Sequence, residues 1–274
     1  MKFQLMLASQ QPPATINFPI YASPKLDGIR ATIKNGLVIS REIKAIPNKN
    51  IQKWLGKEYL DGLDGELIIT DWTRGSAYVD TASIVMSHEA PIDDILFCVF
   101  DRWSFKRRPF KDRLRNVELF IELTQGLKRI RRVPHELVRN QAELDAYEDS
   151  ILSQGFEGVM LRSPLGEYKH GRSTEREGGM MKLKRFTDSE ATILEVLPVV
   201  SEGAELPMAG SLTVDDPQFS RPFGVSLSRL SHTEKSSFWA NREGHIGRKI
   251  KYRYFAYGMV DVPRHGRFTS FFLG

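Results

Sequence analysis

Residues 23–40 read Ser23-Pro24-Lys25-Leu26-Asp27-Gly28-Ile29-Arg30-Ala31-Thr32-Ile33-Lys34-Asn35-Gly36-Leu37-Val38-Ile39-Ser40. Asn35-Gly36 is a strong short hairpin signal, because both residues tolerate the positive φ angles of a tight turn between twisted strands. Ala31–Lys34 and Leu37–Ser40 are therefore predicted to pair as strands. Just before this hairpin, a lysine lies between an apolar stretch (Phe18–Tyr21) and a glycine. A lysine amine becomes a nucleophile when a desolvated or cationic setting lowers its pKa. Pro24 stiffens the approach to Lys25. Gly28 permits an unusual backbone conformation or a close approach. Arg30 offers a planar donor fork suited to phosphate or ribose oxygens. An isolated Lys-x-Asp-Gly is also compatible with a solvated surface turn, so the rest of the chain has to discriminate.

Working outward, Gly65–Thr70 and Ile95–Trp103 read as buried strands. Lys111–Gln125 repeats apolar residues at Leu114, Val117 and Ile121 and stops at Gly126, the pattern of a helix. Asn140–Gln154 reads as a second helix, with Asn140 as cap, Glu143 completing a capping box and Gly155 ending it. Val159–Arg162 and Met180–Phe186 read as strands. His170–Gly179 is a polar, glycine-rich loop, a common place for function. Thr187–Glu190 reads as a linker. Beyond it, Ala191–Val200, Ser211–Val214, Gly224–Leu227, Arg248–Tyr254 and Arg267–Phe272 read as strands, with a helix at Ser231–Asn241 before the fourth. That order suits a small OB-type barrel. The predicted fold is α+β. Residues 1–187 form one domain of antiparallel sheets with flanking helices, and residues 188–274 form the barrel.

Composition narrows the class. Of 274 residues, 41% are apolar and 27% charged, as in soluble globular proteins. Cys98 is the only cysteine, which excludes an internal disulfide or a cysteine zinc cluster and suits a reducing compartment. The apolar stretch within Met1–Gln10 is too short for a signal peptide, and no run reaches membrane-span length. These features give the expectation of a cytoplasmic protein with no membrane partner. A net charge of +5 agrees with a nucleic-acid partner without establishing one.

The pattern Lys25-x-Asp27-Gly28-x-Arg30, followed at once by a hairpin, resembles the ATP-dependent DNA ligases. Further pieces follow in that family's order: Ser40-Arg41, Asp64-Gly65-Glu66-Leu67, Phe97-Cys98-Val99-Phe100-Asp101, Glu157-Gly158-Val159-Met160-Leu161-Arg162, Tyr168–Ser173 and Met181-Lys182-Leu183-Lys184. The resemblance implies a nucleotidyltransferase (adenylation) domain with an OB domain behind it, in the short viral or phage-like form. It implies that Lys25 attacks the α-phosphate of ATP and carries AMP as a phosphoramidate. Ser23, Arg30, Glu66, Phe100, Lys182 and Lys184 are then expected around the nucleotide, with Phe100 stacked on adenine. Glu157, with Glu66, is expected to hold Mg²⁺. Arg41, Arg30, Arg172 and Arg176 are expected to contact nicked double-stranded DNA. The resemblance further implies a monomer whose OB domain closes for the first step and reopens to clamp DNA.

Two lysines at alternate positions of one strand share a face and repel unless an anion lies between them. A triphosphate would supply that anion, and the same charges would favour the neutral amine at Lys25. The family's late Arg-x-Asp-Lys segment has no counterpart here. Arg264, Arg267, Lys249 and Lys251 are the basic residues available in its place. Three other readings share parts of the pattern: an mRNA-capping guanylyltransferase, an RNA ligase, and an OB-containing protein that binds nucleic acid without catalysis. Labelled ATP and GTP, offered separately, distinguish the first of these. Strand substrates distinguish the second, and the absence of any covalent adduct distinguishes the third.

Overall fold

The computed structural model describes residues 3–9, 16–72, 76–124, 129–183, 186–201, 203–255 and 261–272. The chain divides into two compact units, Met1–Lys184 and Arg185–Gly274.

The first unit holds strands β1 (Ile20–Pro24), β2 (Ile29–Lys34), β3 (Leu37–Ser40), β4 (Leu63–Ile69), β5 (Ile95–Arg102), β6 (Ile130–Arg132), β7 (Glu136–Val138), β8 (Val159–Arg162) and β9 (Met180–Leu183). Its helices are α1 (Lys49–Leu55), α2 (Ala77–Met86), α3 (Phe110–Leu123) and α4 (Gln141–Ser153). The strands form a four-stranded sheet, β7-β1-β8-β9, and a five-stranded sheet, β3-β2-β4-β5-β6. Every pair is antiparallel except β5 with β6.

The hairpin forms as the sequence predicts. Asn35 and Gly36 adopt φ angles of 52° and 67°, and the Asp61 carboxylate accepts from both of their backbone N–H groups, at 2.7 and 2.9 Å. Asn140 caps α4 by accepting from the Glu143 N–H. The return bond differs from a capping box, because Glu143 accepts from the N–H of Arg139 rather than of Asn140. Helix α3 closes at Leu123, where the Thr124 hydroxyl donates to the Phe120 carbonyl at 2.7 Å. Gln125 and Gly126, where its end was expected, lie outside the described residues.

Strand alternation sorts the side chains of the five-stranded sheet. Ile29, Ala31 and Ile33 of β2, Leu67 and Ile69 of β4, and Ile95, Phe97 and Val99 of β5 enter the main core, together with residues of α1, α2 and α3. Each fully buried aliphatic of this kind stabilises by about 1.5–3 kcal/mol. With period 2, the intervening residues take the opposite face. Among those residues are Arg30, Asp64, Glu66, Cys98 and Phe100. On the four-stranded sheet, Ile20, Ala22, Val159, Leu161 and Met181 pack with α4, which leaves Ser23, Met160, Arg162, Met180 and Lys182 for the other side.

The second unit contains β10 (Thr187–Ser201), β11 (Ala204–Asp215), β12 (Phe223–Ser226), α5 (His232–Ala240), α6 (Arg242–His245), β13 (Lys249–Phe255) and β14 (Arg264–Phe271). The strands close into a barrel in the order β10-β11-β12-β14-β13. Ser231 caps α5 in a full capping box with Glu234. Thr187–Glu190, expected as a linker, is instead the start of β10 and pairs with Tyr254 through Lys251 of β13. A strand wet on one face carries the same polar composition as a linker. What separates the two is the partner: Ser189 donates to Asp216 at 2.8 Å, and Tyr252 donates to the same carboxylate oxygen at 2.7 Å.

Candidate active site

Strand β1 ends at Pro24 and delivers Lys25, whose backbone N–H donates to the Gly158 carbonyl at 2.8 Å. This bond sets Lys25 beside the segment that opens β8, and the Lys25 ammonium forms an ion pair with Glu157. The Glu157 side chain is 8% exposed and that of Lys25 22%, so the pair is largely out of water yet reachable. Gly28 is required by close approach: a Cβ there would run into the Leu67 carbonyl and the Glu66 side chain. The Lys-x-Asp-Gly segment therefore presses directly on β4, which carries Glu66.

A cavity of about 250 Å³ lies between the two sheets. Ser23, Lys25, Arg30, Glu66, Phe100 and Lys182 line it, as the sequence reading expects, with Arg41 and Arg172 also on its wall. Arg30 and Glu66 are register partners on β2 and β4. The Arg30 guanidinium grips Asp64 with two bonds, Nε to Oδ1 at 3.0 Å and Nη2 to Oδ2 at 2.7 Å. It also lies 5.4 Å from the Phe100 ring centre. Burial works against the Arg30 charge, but Asp64 outweighs it and holds the guanidinium protonated.

Burial pushes the Glu66 carboxyl up to about 7, against the pull of Lys25 and Arg30. The folded form therefore holds this proton more tightly than the unfolded chain. The stability it lends is complete below the ordinary carboxylate range and is lost as pH rises through about 7. The chain alone should lose stability between about pH 5 and pH 8, and Glu66→Gln should remove part of that slope, on the order of 1–3 kcal/mol. Thermal unfolding of both proteins across that range checks this. Parallel pH profiles for the two would refute it.

A family model described as an ATP-dependent DNA ligase domain matches residues 6–184. This chain belongs to the ATP-dependent DNA ligase family. Among relatives, a DNA ligase of African swine fever virus is 27% identical over 157 residues, covering 53% of this chain and 35% of the viral protein. The matched stretch is thus about a third of that relative's length. A crystal structure of the Chlorella virus DNA ligase-adenylate aligns over 99% of both chains at 30% identity, with a TM-score of 0.61. A Lig E DNA ligase, from work on DNA binding with a minimal scaffold, aligns over 99% of this chain and 100% of its own at 25% identity, with a TM-score of 0.78. An adenylation domain followed by an OB-fold barrel is the architecture of this ligase family, and it is the architecture described above.

Against the ligase pattern, the other predicted positions divide. Arg41 is on the cavity wall with its side chain 58% exposed, and its nearest carboxylate is the exposed Glu42 at 3.9 Å. Arg172 donates to the Ala8 carbonyl at 2.7 Å. Arg176 is exposed on the same loop and does not line the cavity. Lys182 pairs with Met160 across β9 and β8. Lys184 lies outside the described residues, so the alternation with Lys182 rests on sequence alone.

Several contributors were not legible as site residues. Leu7 and Ala8 line the cavity from an N-terminal segment laid alongside the 170s loop, where the Leu7 N–H donates to Gly171 and the Ser173 N–H to Leu7. Val133 and His135 line it from the connection between β6 and β7. The His135 Nδ1 bonds the Val133 carbonyl at 2.9 Å. Burial, the main cause, drives this imidazole down to about 3, so it is neutral.

Proposed function

We propose that this chain is an ATP-dependent enzyme that seals nicks in duplex DNA, with Lys25 as the carrier of AMP. One observation carries the reading: the Lys25 ammonium meets Glu157 at the wall of a cavity shared with Arg30, Glu66, Phe100 and Lys182. Each proposed part matches a need of phosphoryl transfer, which depends on positioning and charge neutralisation. Phe100 offers a ring face for adenine, worth about 1–3 kcal/mol per stacked base. Arg30 and Glu66 face the ribose. Lys182, with Lys184, serves the α-phosphate. Ser23 borders the base of Lys25.

Attack needs the neutral amine, so the Lys25–Glu157 pair has to part and the ammonium has to give up a proton. That proton goes to water; the amine nitrogen then bonds the α-phosphorus and sheds a second proton to water, and the bond to the bridging oxygen breaks as pyrophosphate leaves. Next, an oxygen of the DNA 5′-phosphate attacks the same phosphorus, the phosphorus–nitrogen bond breaks, and Lys25 takes two protons back from water. The 3′-hydroxyl finally attacks the 5′-phosphorus, and AMP departs.

Glu157 and Glu66 are the residues that would hold Mg²⁺, a hard cation that takes carboxylate oxygens. Bound there, the ion would neutralise charge on the phosphates. Arg30, Arg41, Arg172 and Arg176 are assigned to DNA phosphates, so binding should weaken steeply with salt. The first unit would be the adenylation domain and the barrel the OB domain of a protein acting as a monomer in the cytoplasm.

Incubation with ATP and Mg²⁺ followed by intact-mass measurement tests this reading. The expected result is a gain of one AMP that maps to Lys25, with no gain from GTP. No adduct, or an adduct on another residue, would overturn it.

A further inference from the structure

Three side chains and the backbone of Met6 close a hydrogen-bonded circuit beside the cavity. Arg30 Nη1 donates to the Met6 carbonyl at 2.6 Å. The Met6 N–H donates to the Tyr168 hydroxyl oxygen at 3.1 Å. Tyr168 donates in turn to Asp64 Oδ2 at 2.6 Å, the same oxygen that receives Arg30 Nη2. The circuit joins four segments distant in sequence: the N-terminal segment, β2, β4 and the loop before β9. Asp64 is 0% exposed and Tyr168 3%, so water cannot substitute for a lost partner. Burial first, and then the Asp64 carboxylate, raise the Tyr168 phenol well above its ordinary range, which keeps it a donor.

We propose that Tyr168 is a positioning residue for nucleotide binding: its hydroxyl, by holding Asp64 and Met6 together, fixes the Arg30 guanidinium on the cavity wall. All four linked segments put residues on that wall: Leu7 and Ala8 from the first, Arg30 from the second, Glu66 from the third and Arg172 from the fourth. Tyr168 itself is not among the lining residues, so it acts through its neighbours. Its ring packs with Met6 and Met180, and its backbone N–H is held by the Lys106 carbonyl at 2.8 Å. Removing only the hydroxyl oxygen therefore leaves the ring and loop anchored while it opens the circuit in two places. Asp64 loses a donor and Met6 loses an acceptor, so the two groups that hold Arg30 are no longer tied to each other.

The inference rests on the proposed AMP transfer to Lys25, and its test separates the two. Lys25 adenylation with ATP is followed for the native chain, Tyr168→Phe, Arg30→Lys and the double variant. Tyr168→Phe should raise the KM for ATP by roughly 5- to 10-fold, the scale of one typical intramolecular hydrogen bond, with the maximal rate changed far less. In the Arg30→Lys background the same substitution should add little, because the effect is transmitted through the guanidinium. Partial unfolding lowers the amount of active protein without moving KM, so a fall in rate at unchanged KM overturns the inference. A full additive effect in the Arg30→Lys background overturns it as well. If the native chain forms no adduct, the enzymatic reading itself fails; if the native chain adenylates and Tyr168→Phe matches it in KM, only the role of Tyr168 fails.

Discussion

Lys25→Ala should form no AMP adduct and should seal no nicks from ATP, with both activities reduced by at least about 10³-fold. The two losses should coincide, because the amine is the only atom through which AMP would pass from nucleotide to DNA. A nick already carrying AMP on its 5′-phosphate bypasses that atom. Its sealing by Lys25→Ala should therefore survive, because the last step needs only the phosphate, the 3′-hydroxyl and the groups that hold them. Folding has to be measured beside activity, since the substitution removes the Lys25 ammonium from Glu157, which is 8% exposed. An unfolding midpoint near that of the native chain, combined with lost adduct formation, is the expected pair of results. Normal-rate nick sealing by Lys25→Ala would remove the covalent mechanism altogether.

How much of this was legible in the sequence follows from how local each signal is. The β2–β3 turn was readable because the positive φ angles it needs are supplied locally by Asn35 and Gly36. The placement of Arg30, Glu66 and Phe100 on one face was readable in principle from the period of two along β2, β4 and β5. The partners of those residues were not. Asp64 lies two positions before Glu66, yet nothing local says that it holds Arg30 with one carboxylate and receives Tyr168, 104 residues away, on the same group. The N-terminal segment was passed over because its value is entirely non-local: Met6, Leu7 and Ala8 matter through bonds to Arg30, Gly171 and Arg172. The linker at Thr187–Glu190 failed for the same reason, since only the pairing with β13 distinguishes a wet strand from a connection.

Asp101→Ala should destabilise the chain by about 3–5 kcal/mol, the cost of leaving buried charge without its partner. Asp101 is the penultimate residue of β5, and its carboxylate sits between two arginines. Arg113 of α3 donates from Nε at 2.8 Å and from Nη2 at 3.1 Å, and Arg162 of β8 donates at 2.5 Å. All three side chains are at most 2% exposed. The triad ties the five-stranded sheet, α3 and the four-stranded sheet at one point, and the Arg162 guanidinium also lies 5.6 Å from the Phe100 ring centre. Deleting the carboxylate leaves two cations facing each other in a dry site. The loss should therefore exceed that of removing any exposed ion pair, such as Lys49–Glu89, which contributes about 0–1 kcal/mol.

The pH dependence of the triad runs opposite to that of Glu66. Burial alone would raise the Asp101 carboxyl, but Arg162 and then Arg113 outweigh it and hold it below its ordinary range. Its stabilisation is thus present above the ordinary carboxylate range and is lost only as pH falls through the lowered value. Asp101→Ala should accordingly cost most near neutral pH and progressively less in acid, whereas Glu66→Gln changes stability most on the alkaline side. Denaturant unfolding of the two variants from about pH 3 to pH 8 measures both slopes. A loss below about 1 kcal/mol for Asp101→Ala at neutral pH would show that the two arginines find other anions or water, and that the triad does not hold the sheets in register around the cavity.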